Sequence, residues 1–415
     1  MSNLFEKHNP LKVYLAVRFA SALLFSVIVT VNLVYEATVV GLNPLQLVLV
    51  GTVLETVSFL FEVPTGIVAD VYSRKLSVII GLLLIGLGFT VEGLFPTFIA
   101  ILIAQVIWGI GFTFVSGARE AWIADEIGED KAGKAFSKGS QMSLIGSFIG
   151  IAISMALANI NIRLPIILGG ILYSCQSIYL LFFMPEENFH PTPIRKRETF
   201  GAMKKTLVTG LGLIRASPVL LTIVVTGLIF GTFSEGFDRL WTPFMIDKFI
   251  FPSLWNLKPV TWFGVLAMMA NVLAILVIQF AERKTDTNDH KSTARALLVI
   301  NGILVAVVVA FGLSGNFVMA AITYWLVSMF REARGPIYDA WINQNLEPKV
   351  RATVFSMCSQ ANAVGQISGG PLLGWIATAV SLRLSLILAG VFLVPSLFLY
   401  ANSIKKHKLI KPTVA

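Results

Sequence analysis

The stretch FLFEVPTGIVADVYSRKLSVIIG, Phe59–Gly81, runs apolar, gathers charge for a few residues, and runs apolar again. A soluble amphipathic helix would spread its charges along one face. Here Glu62 stands alone in the apolar part, while Asp70, Arg74 and Lys75 crowd into a short turn. That is the pattern of two membrane-crossing segments joined by a tight basic loop. Composition extends the reading to the whole chain. Of its 415 residues 56% are hydrophobic and 13% charged, against about 25% charged in an ordinary soluble domain.

Twelve apolar blocks follow one another: 12–35, 45–70, 76–95, 97–124, 138–159, 164–184, 218–246, 259–281, 294–313, 316–342, 353–378 and 383–403. About 20 apolar residues cross a bilayer. In lipid each block must satisfy its own backbone groups, which a helix does internally. The net charge of +9 does not point to nucleic acid, because all but five of the 32 Lys and Arg (Arg163, Arg239, Lys248, Lys258 and Arg383) fall on one side. By the positive-inside rule both termini are expected in the cytoplasm of a bacterium, with the chain in its inner (plasma) membrane. The first block is of spanning length and lacks a small-residue cleavage site, so no signal peptide is expected.

Cys175 and Cys358 lie inside blocks and read as reduced, packed thiols. His8, His190, His290 and His407 fall in predicted loops or tails, so a proton carried within the membrane must ride on a carboxylate. Gly128–Lys134, GEDKAGK, has the spacing of a phosphate-binding loop, but Ala135 stands where Ser or Thr is needed and no strand precedes it. It reads as the loop between blocks 4 and 5. No cofactor or metal is expected, and the protein is not expected to be an enzyme.

Pro185–Pro218 is the longest polar stretch and bisects the chain. The expected organisation is an N-terminal six-helix bundle over 1–185, a cytoplasmic linker over 186–216, a C-terminal six-helix bundle over 217–404 and a tail over 405–415. In the linker, Lys204, Lys205 and Arg215 beside Leu207, Leu211 and Leu213 suit an amphipathic helix on the inner leaflet. The halves also repeat. At a constant offset of 219, Ala121, Trp122 and Ile123 meet Ala340, Trp341 and Ile342. Phe136, Ser137, Ser140, Gln141, Gly146 and Gly150 likewise meet Phe355, Ser356, Ser359, Gln360, Gly365 and Gly369. Glycines four apart let helix backbones approach closely. They serve packing alone or, on a second reading, let blocks 5 and 11 slide against the other half.

Gly66–Lys75, GIVADVYSRK, resembles the loop 2–3 signature of the major facilitator superfamily. Gly66, Asp70, Arg74 and Lys75 match it, while Val71 and Ser73 replace a basic residue and a glycine. The resemblance implies twelve transmembrane helices in two pseudo-symmetric bundles, and a cytoplasmic latch formed by Gly66, Asp70, Arg74 and Asp125. Drug–proton antiporters of that superfamily place an arginine before Gly-x-Gly in helix 4. Here Gln105 holds that place before Gly109 and Gly111, and block 5 lacks their Gly-Pro pair, which block 11 has as Gly370–Pro371.

Charges also lie at membrane depth. At about 1.5 Å per residue, Glu62 sits roughly 12 Å from Asp70. Arg18, Arg119 and Glu120 reach a similar depth, and Arg331, Glu332, Arg334 and Asp339 repeat the layer in block 10. An unpaired charge there costs about 2.5–3.5 kcal/mol, so these groups are expected to pair or to face a watered cavity. Glu55, two turns before Glu62, has no base predicted at its depth and is the first candidate for proton or cation binding; Glu62, Glu120 and Asp339 follow. Glu62 has the alternative of a fixed pair with Arg18. Block 7 carries Glu235, Asp238 and Arg239 near its outer end as gate candidates, with Gly231, Gly236 and Pro243 expected to loosen the helix. Gln105, Trp108, Phe112, Phe233, Phe237, Trp241, Tyr324 and Trp325 are candidates for a substrate pocket, against the alternative of lipid contact and helix packing.

The expected function is alternating-access transport, in the form of proton-coupled efflux of amphipathic, drug-like small molecules. The alternatives are a symporter or exporter of one metabolite and, from another class, a receptor or lipid scramblase. The expected partners are substrate, protons or another cation, and lipid; the expected state is a monomer.

Overall fold

A computed structural model of the protein describes residues 9–191, 212, 218–253, 258–287, 289–344 and 348–406. The proposed amphipathic linker helix, apart from Gly212, and the tail beyond Lys406 lie outside them. The described residues form helices and no strand. In order these are α1 (Pro10–Thr38), α2 (Pro44–Val71), α3 (Arg74–Leu94), α4 (Phe98–Val115), α5 (Ala118–Ile127), α6 (Glu129–Ile160) and α7 (Arg163–Phe183). There follow α8 (Pro218–Lys248), α9 (Pro259–Lys284), α10 (His290–Gly312), α11 (Phe317–Gln344), α12 (Pro348–Ala379), α13 (Leu382–Val391) and α14 (Val394–Lys406).

The twelve blocks are all present, with two of them broken. Block 4 divides into α4 and α5 because Gly117 takes φ 73°, a left-handed conformation that glycine adopts without a Cβ penalty. Block 12 divides into α13 and α14. Blocks 5 and 11 start earlier than predicted, so Glu129–Lys134 forms the first turns of α6 instead of a loop. Among the described residues ten spans, with α4–α5 and α13–α14 each counted once, are long and apolar enough to cross a bilayer. The other two are α11, which carries Arg331, Glu332, Arg334 and Asp339, and α12, rich in Ser, Gln and Asn.

Contacts group the chain into two units. Unit 1 is Met1–Leu42, Val53–Glu198 and Leu254–Ala267. In lipid, helices are held together by close backbone approach and interhelical hydrogen bonds, since lipid is as apolar as leucine. Unit 1 shows both. A side chain at Gly146 or Gly150 of α6 would strike the Phe19 or Leu23 carbonyl of α1, and the Ser154 hydroxyl donates to the Val27 carbonyl at 2.6 Å. Ser77 of α3 donates to the Phe114 carbonyl at 2.7 Å, and Ser177 of α7 to that of Ile79 at 2.8 Å. The start of α9 joins this unit: Lys258 donates to the Asn159 carbonyl, and Asn159 donates to the Thr261 hydroxyl at 3.0 Å.

Unit 2 is Asn43–Thr52, Thr199–Ser253 and Met268–Ala415. It repeats the glycine device, with Gly365 of α12 against the Leu228 carbonyl and Gly369 against Thr232 of α8. Each glycine pair therefore meets a helix of its own half. Gly231 and Gly236 act likewise, against Asn362 and Leu373, and α8 runs unbroken through Pro243 instead of loosening. The first turns of α2 belong here because Leu45 donates to the Thr378 hydroxyl at 2.9 Å and Gly370 and Gly374 leave room for Val48. This exchange of 43–52 and 254–267 is where the units depart from the expected halves.

Two smaller expectations change. His290 is not a loop residue; it is buried at the start of α10, 3.0 Å from the Ser403 hydroxyl. Cys358 is packed as expected, but Cys175 is exposed.

Candidate functional site

In unit 1 the loop before α3 is built as a clamp. Ser73 caps α3, accepting from the Leu76 amide at 2.9 Å. Arg74 lies 2.8 Å from Asp125 of α5 and 3.9 Å from Asp70. Glu186, which the sequence reading passed over, accepts from the Ser73 hydroxyl at 2.5 Å and the Lys75 amide at 2.8 Å. So Asp70, Arg74 and Asp125 come together as predicted, with Asp125 as the principal partner. Gly66 lies on the same last turns of α2 with open space at its Cβ position.

Deeper in unit 1, Glu120 receives two arginines. Arg18 of α1 reaches it at 3.2 Å and Arg119 at 3.1 Å. Arg18 is thereby committed to Glu120, not to Glu62. Glu62 is exposed on α2, and Glu55 is half-buried one turn beyond Gly51. Gln105 is buried, where it donates to Glu92 at 3.2 Å and accepts from the Trp108 indole at 2.7 Å. It is a core hydrogen-bonding residue and not a pocket wall. Trp108 stacks on Phe89 with ring centroids 5.2 Å apart, and Phe112 stands edge-on to it, exposed.

Unit 2 splits the predicted gate trio. Glu235 is buried and pairs with Arg239 at 3.3 Å along α8. Gly51 of α2 sits directly against both side chains, and Gly370 of α12 against the Glu235 methylenes. Asp238 turns the other way, to α11, where both of its oxygens receive the Arg331 guanidinium. That places Arg331 at the level of Asp238, not in a layer near the opposite end of the span. Arg331 also lies 5.6 Å from the Phe233 ring centroid, and buried Arg334 lies 3.9 Å from that of Phe230 and 4.4 Å from that of Tyr338. Guanidinium groups over aromatic faces are stabilised most where water is excluded. Beside the ion pair, Trp241 of α8 stacks on Tyr324 of α11 with centroids 4.2 Å apart. Phe233 and Phe237, predicted for a pocket, are buried in the aromatic core of the unit with Phe311. Trp325 is half-buried; Glu332 and Asp339 are exposed on α11.

Two acids escaped the sequence reading. Glu36 and Glu92 are both fully buried in unit 1. An acid inside an apolar block, Glu92, and one directly at the end of a block, Glu36, were the available signal. A cavity of about 640 Å³ lies elsewhere, among the ends of α1, α5 and α6, lined by Lys131, Lys134, Lys138 and Glu126. Among the described residues no group of acids, His and Cys could hold a metal ion.

Comparison with known proteins agrees with this architecture. The sequence profile of the Major Facilitator Superfamily matches residues 14–326. The chain is 28% identical over 359 residues to the uncharacterized MFS-type transporter YxaM of Bacillus subtilis (strain 168), covering 86% of each chain. Its fold resembles that of a bacterial homolog of the human lysosomal transporter Spinster, with a TM-score of 0.74, 15% identity, and 97% and 98% of the two chains covered. It also resembles the nucleoside transporter NupG, with a TM-score of 0.72, 14% identity, and 96% and 99% covered. Its membrane-length helices, two-fold internal repeat and clamped loop between α2 and α3 agree with that match, and the protein belongs to the major facilitator superfamily and is a multi-pass membrane transporter.

Proposed function

We propose that this transporter exports amphipathic or cationic small molecules in exchange for protons, by alternating access. The observation that carries the reading is the Asp238–Arg331 pair beside the Trp241–Tyr324 stack. It sets a carboxylate and partly exposed aromatic faces side by side in the middle of a membrane-embedded unit. Such a surface binds lipophilic cations by apolar burial and cation–π contact, and a bound cation competes with the arginine for the carboxylate. Gly51, Glu235, Arg239 and Gly370 form the gate at the outer end in this reading, and Asp70, Arg74 and Asp125 the latch at the cytoplasmic end. Glu55, on the α2 face that carries Gly51, is the carboxylate assigned to proton coupling.

The test is efflux of a panel of fluorescent dyes and antibiotics from bacterial cells expressing the protein, with and without an uncoupler. Export that stops with the uncoupler, and that Glu55→Gln reduces tenfold or more, is the expected result. Export indifferent to both would remove proton coupling. Retention of every compound, with transport of one metabolite instead, would replace the substrate assignment.

A further inference from the structure

The end of unit 1 opposite the Arg74 clamp holds ionisable groups with no part in the reading above. Glu36 of α1 and Glu92 of α3 are each 0% exposed. Asn32 donates to one Glu36 oxygen at 3.0 Å. The Gln105 amide nitrogen of α4 donates to Glu92 Oε2 at 3.2 Å, and the Gln105 carbonyl oxygen accepts from Trp108 Nε1 at 2.7 Å. Tyr35 donates its hydroxyl to the Glu92 backbone carbonyl at 2.8 Å. From α7, Arg163 donates to the neighbouring Gly93 and Leu94 carbonyls at 2.9 and 2.5 Å. The charges that act on the Tyr35 phenol are those of Arg163, Glu92 and Glu36. Helix α5 meets α3 at its other end, where Asp125 holds Arg74.

The hydrogen-bond direction along this chain follows from chemistry. An indole N–H donates and cannot accept. The Gln105 atom facing it must therefore be the carbonyl oxygen, which turns the amide nitrogen toward Glu92. The Glu92 oxygen it meets must then accept. The arrangement thus reports a particular state of Glu92, with no proton on the oxygen that faces Gln105. At membrane depth an uncompensated charge is costly.

We propose that Glu92 is a proton-binding site whose occupancy is passed through Gln105 to the indole of Trp108. A proton arriving on the oxygen that faces Gln105 becomes a donor and takes the amide's carbonyl oxygen. The amide then turns its NH2 toward another donor, and Trp108 loses its acceptor. A proton on the other oxygen converts a charge-assisted bond to a neutral one of about half the strength. In both cases Trp108, stacked on Phe89 and edge-on to exposed Phe112, is held less firmly. Any use of this relay in transport rests on the proton-coupled reading above; the titration itself requires no substrate.

The experiment is a pH titration, between about pH 5 and 9 where buried glutamates titrate, of the full-length protein in lipid nanodiscs. Tryptophan resonance Raman reads indole hydrogen bonding, and subtracting the Trp108→Phe spectrum isolates Trp108 from the eight tryptophans. Wild type should show a Trp108-dependent weakening of the indole hydrogen bond as pH falls. Glu92→Gln, whose carbonyl oxygen still accepts from Gln105, should lose that transition. Glu92→Asp should shift its midpoint, which guards against a Glu92→Gln variant that fails to fold. A Trp108 signal that is flat with pH, or one that titrates unchanged in Glu92→Gln or Glu92→Asp, would overturn the proposal. Loss of dye export with this titration intact would instead count against the transport reading alone.

Discussion

Asp238 of α8 and Arg331 of α11 face each other two oxygens to two nitrogens, the Nη2 arm at 2.8 Å. This fork geometry fixes the rotation of two helices whose remaining contacts are mostly aromatic. Removing one partner of a buried pair costs about 3–5 kcal/mol, but with 47% of the Asp238 side chain exposed the figure falls to about 1–2 kcal/mol. Asp238→Asn should lower the thermal melting point of the purified protein and reduce transport at least fivefold. The exchanged pair Asp238→Arg with Arg331→Asp should recover part of the stability. A melting curve for each variant checks this.

The latch residues are unequal. Arg74 is 2.8 Å from Asp125 and 3.9 Å from Asp70, and Asp70 is the more exposed of the two acids. Asp125→Asn should therefore slow transport about fivefold, equivalent to roughly 1 kcal/mol, and Asp70→Asn about twofold or less. Initial export rates at matched expression decide the order. A larger effect from Asp70→Asn would contradict it.

Gly51 lies where any side chain would enter the Glu235–Arg239 ion pair. Gly51→Val should impair transport strongly, and Glu235→Ala in the same chain should relieve part of that defect by opening space. Contacting residues of this kind show coupling of about 0.5–3 kcal/mol in a double-mutant cycle. The cycle is read in transport rates or in stability to denaturant, and additive effects would refute the contact.

The two glycine pairs predict matched effects. Gly150→Leu should loosen α6 from α1, and Gly369→Leu should loosen α12 from α8, because both helices approach a neighbour closely there. Overpacking of this size costs about 1–3 kcal/mol. Thermal melts of the two variants should fall by similar amounts.

At the start of α10, Asp289 accepts from the Ser292 amide at 2.9 Å. That backbone N–H, ahead of Lys291 and His290, holds its carboxyl below the usual carboxylate range. A group whose folded value is depressed contributes fully above its unfolded value and loses the contribution as pH falls through the folded one. Protection of the Ser292 amide from hydrogen exchange should accordingly hold at neutral pH and weaken below about pH 4. Asp289→Asn should make that protection insensitive to pH.

The succession of spans, the duplicated half and the clamp at Arg74 were legible because each depends on spacing along the chain. A run of about 20 apolar residues is a helix in lipid whatever surrounds it, and Asp70 is tied to Arg74 by four residues of chain. Gly146, Gly150, Gly365 and Gly369 could be recognised as close-packing positions, but their partners could not: spacing says that a backbone approaches, not which one.

The linear chain thus determined the span count, the two-fold repeat and the presence of charges at membrane depth, since hydrophobic length and periodicity act locally. Only the tertiary structure decided that Arg18 belongs to Glu120, that Asp238 belongs to Arg331 and Glu235 to Arg239, and that Gln105 answers to Glu92. Ion pairs and hydrogen bonds hold only within a few ångströms and in the right direction. Which residues meet at that range is set by helix rotation and depth, and those emerge from packing over the whole unit.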